Sequence, residues 1–376
     1  MSIGEKNEYN KIQGEKMNRK HTKAEGVTLD TIVYEALLFN PEPQENSSEA
    51  APIGSNTDGI IDPTNSRYVW ASSLLKVMRG NEWGPEEVDM TPDTMAYGKL
   101  EEYERRGYDK AIAALIFNDS AQTRNLAGNM IPFITDGNIV TCLARQEWEE
   151  ALHSISYDVM LKDVSPNRDE IYKMYLTDPL LRERDEFLAK MYSELSYRVN
   201  EGVSVRKLIR AMIANNILEA IMFYSGFILF WYLGTRMKGS AQMISFIARD
   251  ERTHVLLFRQ ILTSTLKAYP GIDKDEVEEM AIKMVDDTVN LEIKWLKYIT
   301  EGKVAAFNDA TISRYIHGKG DDVISGMGFS KIYNDPASPL LAYEKEYDNP
   351  NKMKTNFFEG RPKTYTATKL STDGYL

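Results

Sequence analysis

From about residue 66 to about 332 the chain places apolar side chains at three- and four-residue spacing, and the strict alternation of a half-buried strand is scarce. The pattern predicts an all-α core. Its first helix is expected over Tyr68–Met78, followed by the break Trp83-Gly84-Pro85-Glu86-Glu87. Further helices are expected over 94–106, 108–122, 134–162, 167–176, 179–199, 204–234, 237–267, 273–299, 303–316 and 320–329. Turn signals such as Asp163-Val164-Ser165-Pro166-Asn167 and Tyr269-Pro270-Gly271 separate them. The most apolar run, Ala220–Leu233, has 14 residues. A membrane span takes about 20, so the run reads as a buried core helix and no membrane role is expected.

The flanks differ from the core. Residues 1–65 are rich in Lys, Glu, Asn, Ser, Pro and Gly and read as mostly irregular, with one short helix near Leu29–Phe39. Residues 333–376 are rich in Asn, Pro, Lys and Thr, with Tyr343, Tyr347, Phe357, Phe358, Tyr365 and Tyr375 spaced through them. That composition predicts a flexible tail that docks on a partner. The chain thus divides into 1–65, a helical domain over 66–332, and the tail 333–376.

Composition excludes several functions. At 376 residues and 43% hydrophobic content there is ample material for a core. A net charge of −11 argues against a nucleic-acid binder, which needs clustered Lys and Arg. The basic start, Lys16–Lys23, is short and mixed, and reads as a solvated tail. The single cysteine, Cys142, rules out a disulfide framework, a thiolate metal site or a CxxC couple, and reads as a small buried hydrophobe. With no disulfide and no signal peptide, a cytoplasmic setting is expected.

Two stretches about a hundred residues apart repeat one arrangement of metal-binding groups. Asp119 is followed 31 residues on by Glu150-Ala151-Leu152-His153, and Glu219 is followed 32 residues on by Glu251-Arg252-Thr253-His254. Residues three apart share a helix face. Four carboxylates and two imidazoles brought together inside a helical bundle form the ligand set of a dinuclear site. Hard oxygen donors with a little imidazole suit iron or manganese, and so oxygen or redox chemistry. One Glu-x-x-His alone is more often an exposed ion pair. Here two of only four histidines sit in the paired motif, while His21 and His317 lie in polar segments and receive no role. Glu219 sits in a strongly apolar helix, where an unpaired carboxylate is costly; the blander reading is a buried pair with Arg or Lys. Glu149 and Asp250, each four residues before a histidine, compete with Glu150 and Glu251, and the three-residue spacing favours the latter two.

Tyr157 falls four residues after His153 and seven after Glu150, on the ligand face. Phe223, Phe227 and Ile247 fall at helical spacing from Glu219 and Glu251. All four read equally as core residues, but a phenol beside a redox metal is oxidisable by one electron, and a dry apolar wall slows quenching of the radical.

From about Tyr68 to Tyr365 the sequence resembles the small, radical-generating subunit of class I ribonucleotide reductase. The resemblance rests on Glu150-Ala151-Leu152-His153-Ser154-Ile155-Ser156-Tyr157, on Leu218-Glu219-Ala220-Ile221-Met222-Phe223-Tyr224, on Ile247-Ala248-Arg249-Asp250-Glu251-Arg252-Thr253-His254, on Asn118-Asp119-Ser120, on Trp83-Gly84-Pro85-Glu86-Glu87-Val88-Asp89, and on Lys354–Arg361 followed by Tyr365. It implies a ferritin-like bundle and roles residue by residue. Asp119, Glu150 and His153 would bind one metal, and Glu219, Glu251 and His254 the other, with Glu150 and Glu251 bridging. The cofactor would be two iron ions, with manganese or a mixed pair possible on the same ligands. Tyr157 would hold a stable radical generated with O2. Trp83, joined by Asp250 to His153, would begin a relay that Tyr365 carries to the large catalytic subunit, with Tyr375 as its rival. The extreme C-terminus would bind that subunit, and the chain would form a homodimer. Ribonucleotide reduction needs several thiols, and a chain with one cysteine supplies only half of such an enzyme.

Two other functions use the same fold. A di-metal oxidase or oxygenase acting on a bound small molecule has no need of Trp83, Tyr365 or a docking tail. A ferritin-like iron store is about half this length and assembles into shells.

Overall fold

The computed structural model describes residues 24–193 and 202–348. The helices are α1 (Val69–Gly80), α2 (Thr91–Tyr97), α3 (Glu102–Asn125), α4 (Gly137–Val164), α5 (Arg168–Tyr172), α6 (Pro179–Ser193), α7 (Val205–Ile217), α8 (Phe223–Leu233), α9 (Lys238–Ala268), α10 (Lys274–Thr300), α11 (Asp309–Gly326) and α12 (Leu341–Tyr347). Asp136, Asp273 and Asn308 start α4, α10 and α11 by accepting from the backbone amides two and three residues on. A one-turn π-helix, Leu218–Met222, joins α7 to α8 without a break. The continuous stretch Val205–Leu233 is long and apolar enough to cross a membrane, yet its most apolar window lies wholly inside the bundle. It forms the central rod, with α9, α10 and α11 against α7, and α3 and α9 against α8. Since α3 also packs on α4, and α4 on α9, these four units enclose a common interior.

Four expectations from the sequence are corrected. The helix near Leu29–Phe39 does not form. Ile32–Val33 is instead a short strand, β1, paired antiparallel with Val203–Ser204, β2. The carbonyls of Leu29 and Thr31 take the first free amides of α7, from Arg206 and Val205, so tertiary contacts outbid local helical pairing. The segment before α1 is irregular but anchored: Val27, Leu29, Ala50 and Ile53 are buried.

The two helices expected over 303–316 and 320–329 are the single helix α11. A side chain at Gly320 would meet Val289 at 3.0 Å, Tyr333 at 3.1 Å and Val285 at 3.2 Å. That glycine lets α10 approach. Likewise the division expected at residue 107 is absent, because α3 runs through Gly107 beneath the Ile299 carbonyl.

The tail boundary also moves. Residues 333–348 are held on the bundle: Asp321 accepts from the amides of Ile332, Tyr333 and Asn334 at 2.8–3.0 Å. Ser338 and Leu340 are buried, and α12 lies on α8 and α9. The remainder of the tail, with Phe357, Phe358, Tyr365 and Tyr375, lies outside the described residues, as do His21 and the last turns expected for the helix 179–199.

Candidate metal centre

The four units converge on six buried side chains. Asp119 comes from α3, Glu150 and His153 from α4, Glu219 from the π-turn, and Glu251 and His254 from α9; none is exposed to solvent. They form two quartets, Asp119–Glu150–His153–Glu251 and Glu150–Glu219–Glu251–His254, with candidate ligand atoms within 4.8 Å of one another in each. Glu150 and Glu251 belong to both. Each imidazole turns Nδ1 inward. His153 Nδ1 lies 3.1 Å from Asp119, 3.2 Å from Glu251 and 3.7 Å from Glu150. His254 Nδ1 lies 2.6 Å from Glu251, 3.2 Å from Glu150 and 3.7 Å from Glu219.

Two cations fit this donor set. Asp119 Oδ2, Glu150 Oε2, Glu219 Oε2 and Glu251 Oε1 are buried and accept no hydrogen bond, a state that is costly unless a cation takes the lone pairs. The protonation pattern agrees. Burial, with the charges of Glu150 and Glu251, lifts Asp119 and Glu219 well above the usual carboxylate range. Burial alone would lift Glu150 too, but the imidazoles of His254 and His153 hold it down at about 2. Burial opposes charging the histidines, yet the Glu251 charge at His153 and the Glu150 charge at His254 lift both well above the ordinary value. Protons thus stand in for cations, and a binding metal displaces them.

The surroundings fix the carboxylates. Gln146 Nε2 donates to Glu150 Oε1 and to Glu219 Oε1, both at 2.9 Å. Gln122 Nε2 donates to Glu219 Oε1 and Asn215 Oδ1, both at 2.6 Å. The sequence reading missed both glutamines, although Gln146 lies four residues before Glu150 and Gln122 three after Asp119, on the faces already assigned to ligands. The blander reading of Glu219 is set aside, since its partners are these amides and His254. The buried Arg184 pairs instead with Glu292 at 2.8 Å. It also donates to Asn118, next to Asp119, and to the Met222 carbonyl that closes the π-turn, each at 2.9 Å.

Tyr157 is fully buried, one turn past His153, and its phenol makes no hydrogen bond of ordinary geometry. Burial, then the charge of Asp119, holds its pKa well above the usual phenol value. Phe223, Phe227 and Ile247 are buried, with the two phenylalanines stacked at 5.7 Å. Asp250 Oδ2 lies 3.4 Å from His153 Nε2 and accepts the Trp83 indole N–H at 2.7 Å. The Trp83 and His153 rings are 6.4 Å apart and nearly parallel. Glu149 belongs to neither quartet: its Oε2 meets the outer nitrogen of His254 at 2.9 Å. His317 pairs with Asp335 and stacks on Tyr333, away from the site.

Residues 61–339 match the family model described as ribonucleotide reductase, small chain. The ribonucleoside-diphosphate reductase subunit beta of Treponema pallidum is 34% identical over 351 residues, 91% of this chain and 98% of that one. The corresponding subunit of Halalkalibacterium halodurans is 27% identical, with 85% and 92% covered. The ribonucleotide reductase R2 subunit from Clostridium botulinum superposes with a TM-score of 0.79 at 30% identity, over 85% of this chain and 99% of that one. The dimanganese(II)-NrdF of Streptococcus sanguinis shares the fold, with a TM-score of 0.64 at 18% identity over 76% and 98%. These likenesses favour neither an oxidase nor an iron store. A bundle that closes two carboxylate–histidine quartets around one interior, matched along nearly its whole length, belongs to the small-chain family of ribonucleotide reductase.

Proposed function

We propose that this chain, as the small subunit of a ribonucleoside-diphosphate reductase, stores an oxidising equivalent on Tyr157 and passes it through Trp83 and Tyr365 to the large catalytic subunit, where ribonucleotides are reduced to deoxyribonucleotides. The observation that carries the reading is a phenol wholly buried one helical turn from a histidine of the candidate metal centre. When bound, the two ions supply, with O2, the oxidising power to remove an electron from that phenol.

The rest is the work of the chain. Asp119, Glu150 and His153 would hold one ion, and Glu219, Glu251 and His254 the other. We assign iron to both positions; manganese or a mixed pair suits the same donors. Tyr157 would give up its phenolic proton with the electron, the proton passing to Asp119, the carboxylate whose charge bears most on that phenol. Complete burial keeps water and reductants away from the product radical. His153 Nε2, Asp250 Oδ2 and Trp83 Nε1 form an unbroken polar path out of the centre. Tyr365 and the C-terminal tail extend that path to the large subunit.

A second copy of the chain is the natural cover for α4, where Trp148 and Ile155, seven residues apart on one face, are each 49% exposed. A cytoplasmic setting suits Cys142, whose thiol is pushed up to about 12 by burial and is inert. The net charge of −11 does not favour a nucleic-acid partner, and the apolar central rod packs inside the bundle.

Electron paramagnetic resonance of metal-free protein loaded with ferrous iron and exposed to air tests the proposal. A tyrosyl signal is expected, absent in Tyr157→Phe at unchanged iron content. The same signal in that variant removes Tyr157 from the mechanism.

A further inference from the structure

The two histidines of the metal centre are held from behind in the same way, and the sequence motif accounts for only one of the two arrangements. His153 Nε2 faces Asp250, the residue before the ligand Glu251. His254 Nε2 faces Glu149 at 2.9 Å, the residue before the ligand Glu150. Each helix therefore gives one carboxylate to the ions and the adjacent carboxylate to the outer nitrogen of the opposite helix's histidine.

Glu149 divides its oxygens. Oε2 goes to His254, while Oε1 accepts from Arg145 at 2.8 Å. Arg145 also pairs at 2.6 Å with Glu82, whose side chain is 57% exposed. The two chains of contacts thus end on neighbours in sequence: His254–Glu149–Arg145 on Glu82, and His153–Asp250 on Trp83. Arg249 adds a bond to the Asn81 carbonyl. A plain Arg–Glu pair four residues apart on a helix sits at the surface and engages no third group. Glu149 is wholly buried and its second oxygen is committed to a ligand histidine.

We propose that Glu149 is a positioning residue for the ion held by His254: it accepts the Nε2 proton, leaves Nδ1 as the metal donor, and is itself held by Arg145 and Glu82. The proposal rests on the reading of His254 as a ligand. A carboxylate behind a ligand histidine fixes its tautomer and ring orientation, and losing one costs about 10–100-fold in metal affinity. The segment Asn81–Trp83 then tethers both halves of the centre.

The test is calorimetric titration of the metal-free full-length protein with Mn(II), for the parent, Glu149→Gln, Asp250→Asn and the double variant. The parent is expected to take up two equivalents. Glu149→Gln is expected to weaken one of them about 10–100-fold and spare the other. Asp250→Asn weakens the equivalent that Glu149→Gln spares, and the double variant weakens both. The thermal midpoint of the metal-free Glu149→Gln protein stays near the parent's. Two unchanged equivalents, both weakened alike by Glu149→Gln, or both single variants weakening the same one overturns the proposal. Should Glu149→Gln fail to fold, Glu82→Gln at the exposed end decides: weakening of one equivalent by about two- to fivefold supports the proposal, and no change overturns it. A parent that binds fewer than two ions defeats the di-metal reading itself, whereas two normal equivalents in every variant defeat only the role of Glu149.

Discussion

Trp83 donates its indole N–H to Asp250 at 2.7 Å, across 167 residues of sequence, and the accepting oxygen is the one that faces His153. Trp83→Phe keeps an aromatic ring against Phe246 but removes the donor. Metal content and thermal midpoint are expected to stay close to the parent's. Turnover assayed with the large subunit is expected to fall by about 10–100-fold or more. Near-parental turnover would take Trp83 out of the relay.

Arg184 and Glu292 are both buried, and the guanidinium reaches Asn118 and the Met222 carbonyl as well. Arg184→Met leaves the Glu292 carboxylate in the core with only Ser225 for company, and is expected to cost about 3–5 kcal/mol in chemical denaturation. Adding Glu292→Leu is expected to recover most of that loss, because the expense lies in the uncompensated charge. Equal losses in the single and double variants would show that the bonds to the π-turn matter more than the ion pair.

Burial raises Asp185 to about 7, with Glu292 and Asp178 adding to the rise and Arg184 opposing it. The ordinary value is 3.8. An acid that holds its proton more tightly when folded contributes stability at low pH, and that stability is lost as pH rises from about 4 to about 7. Asp185→Asn mimics the protonated form. It is expected to match the parent near pH 4 and to exceed it by about 1–3 kcal/mol above pH 8, as read from urea midpoints. A constant difference across the range would refute the assignment.

Gly318 and Gly320 share α11 but not surroundings: a Cβ at Gly318 meets nothing within 4 Å, while one at Gly320 meets Val289, Tyr333 and Val285. Gly318→Ala is expected to stabilise by about 0.5–1 kcal/mol through helix propensity. Gly320→Ala is expected to destabilise by about 1–2 kcal/mol, because overpacking exceeds that gain. Thermal melts of the pair decide, and equal shifts would contradict the close approach of α10.

The six side chains of the two quartets were legible because their signal is local. A Glu-x-x-His pair fixes its own face, and two such pairs in a chain with four histidines leave little freedom. Gln122 and Gln146 carried the same helical phase but no distinctive chemistry, and were passed over. Arg184 had no signal at all: its partners lie 38 to 108 residues away and only folding brings them together. The π-turn at Glu219 is equally silent, since Leu218–Met222 reads like any helical segment. Elsewhere local rules misled. The division expected between 316 and 320 is bridged by one helix whose Gly320 lies against α10, and the strand at Ile32 exists only because the backbone of Val203 and Ser204 is there to meet it.

Because Glu150 and Glu251 belong to both quartets, ions at the two positions would share two donor side chains. Whichever cation arrives first orients two of the donors offered to the second.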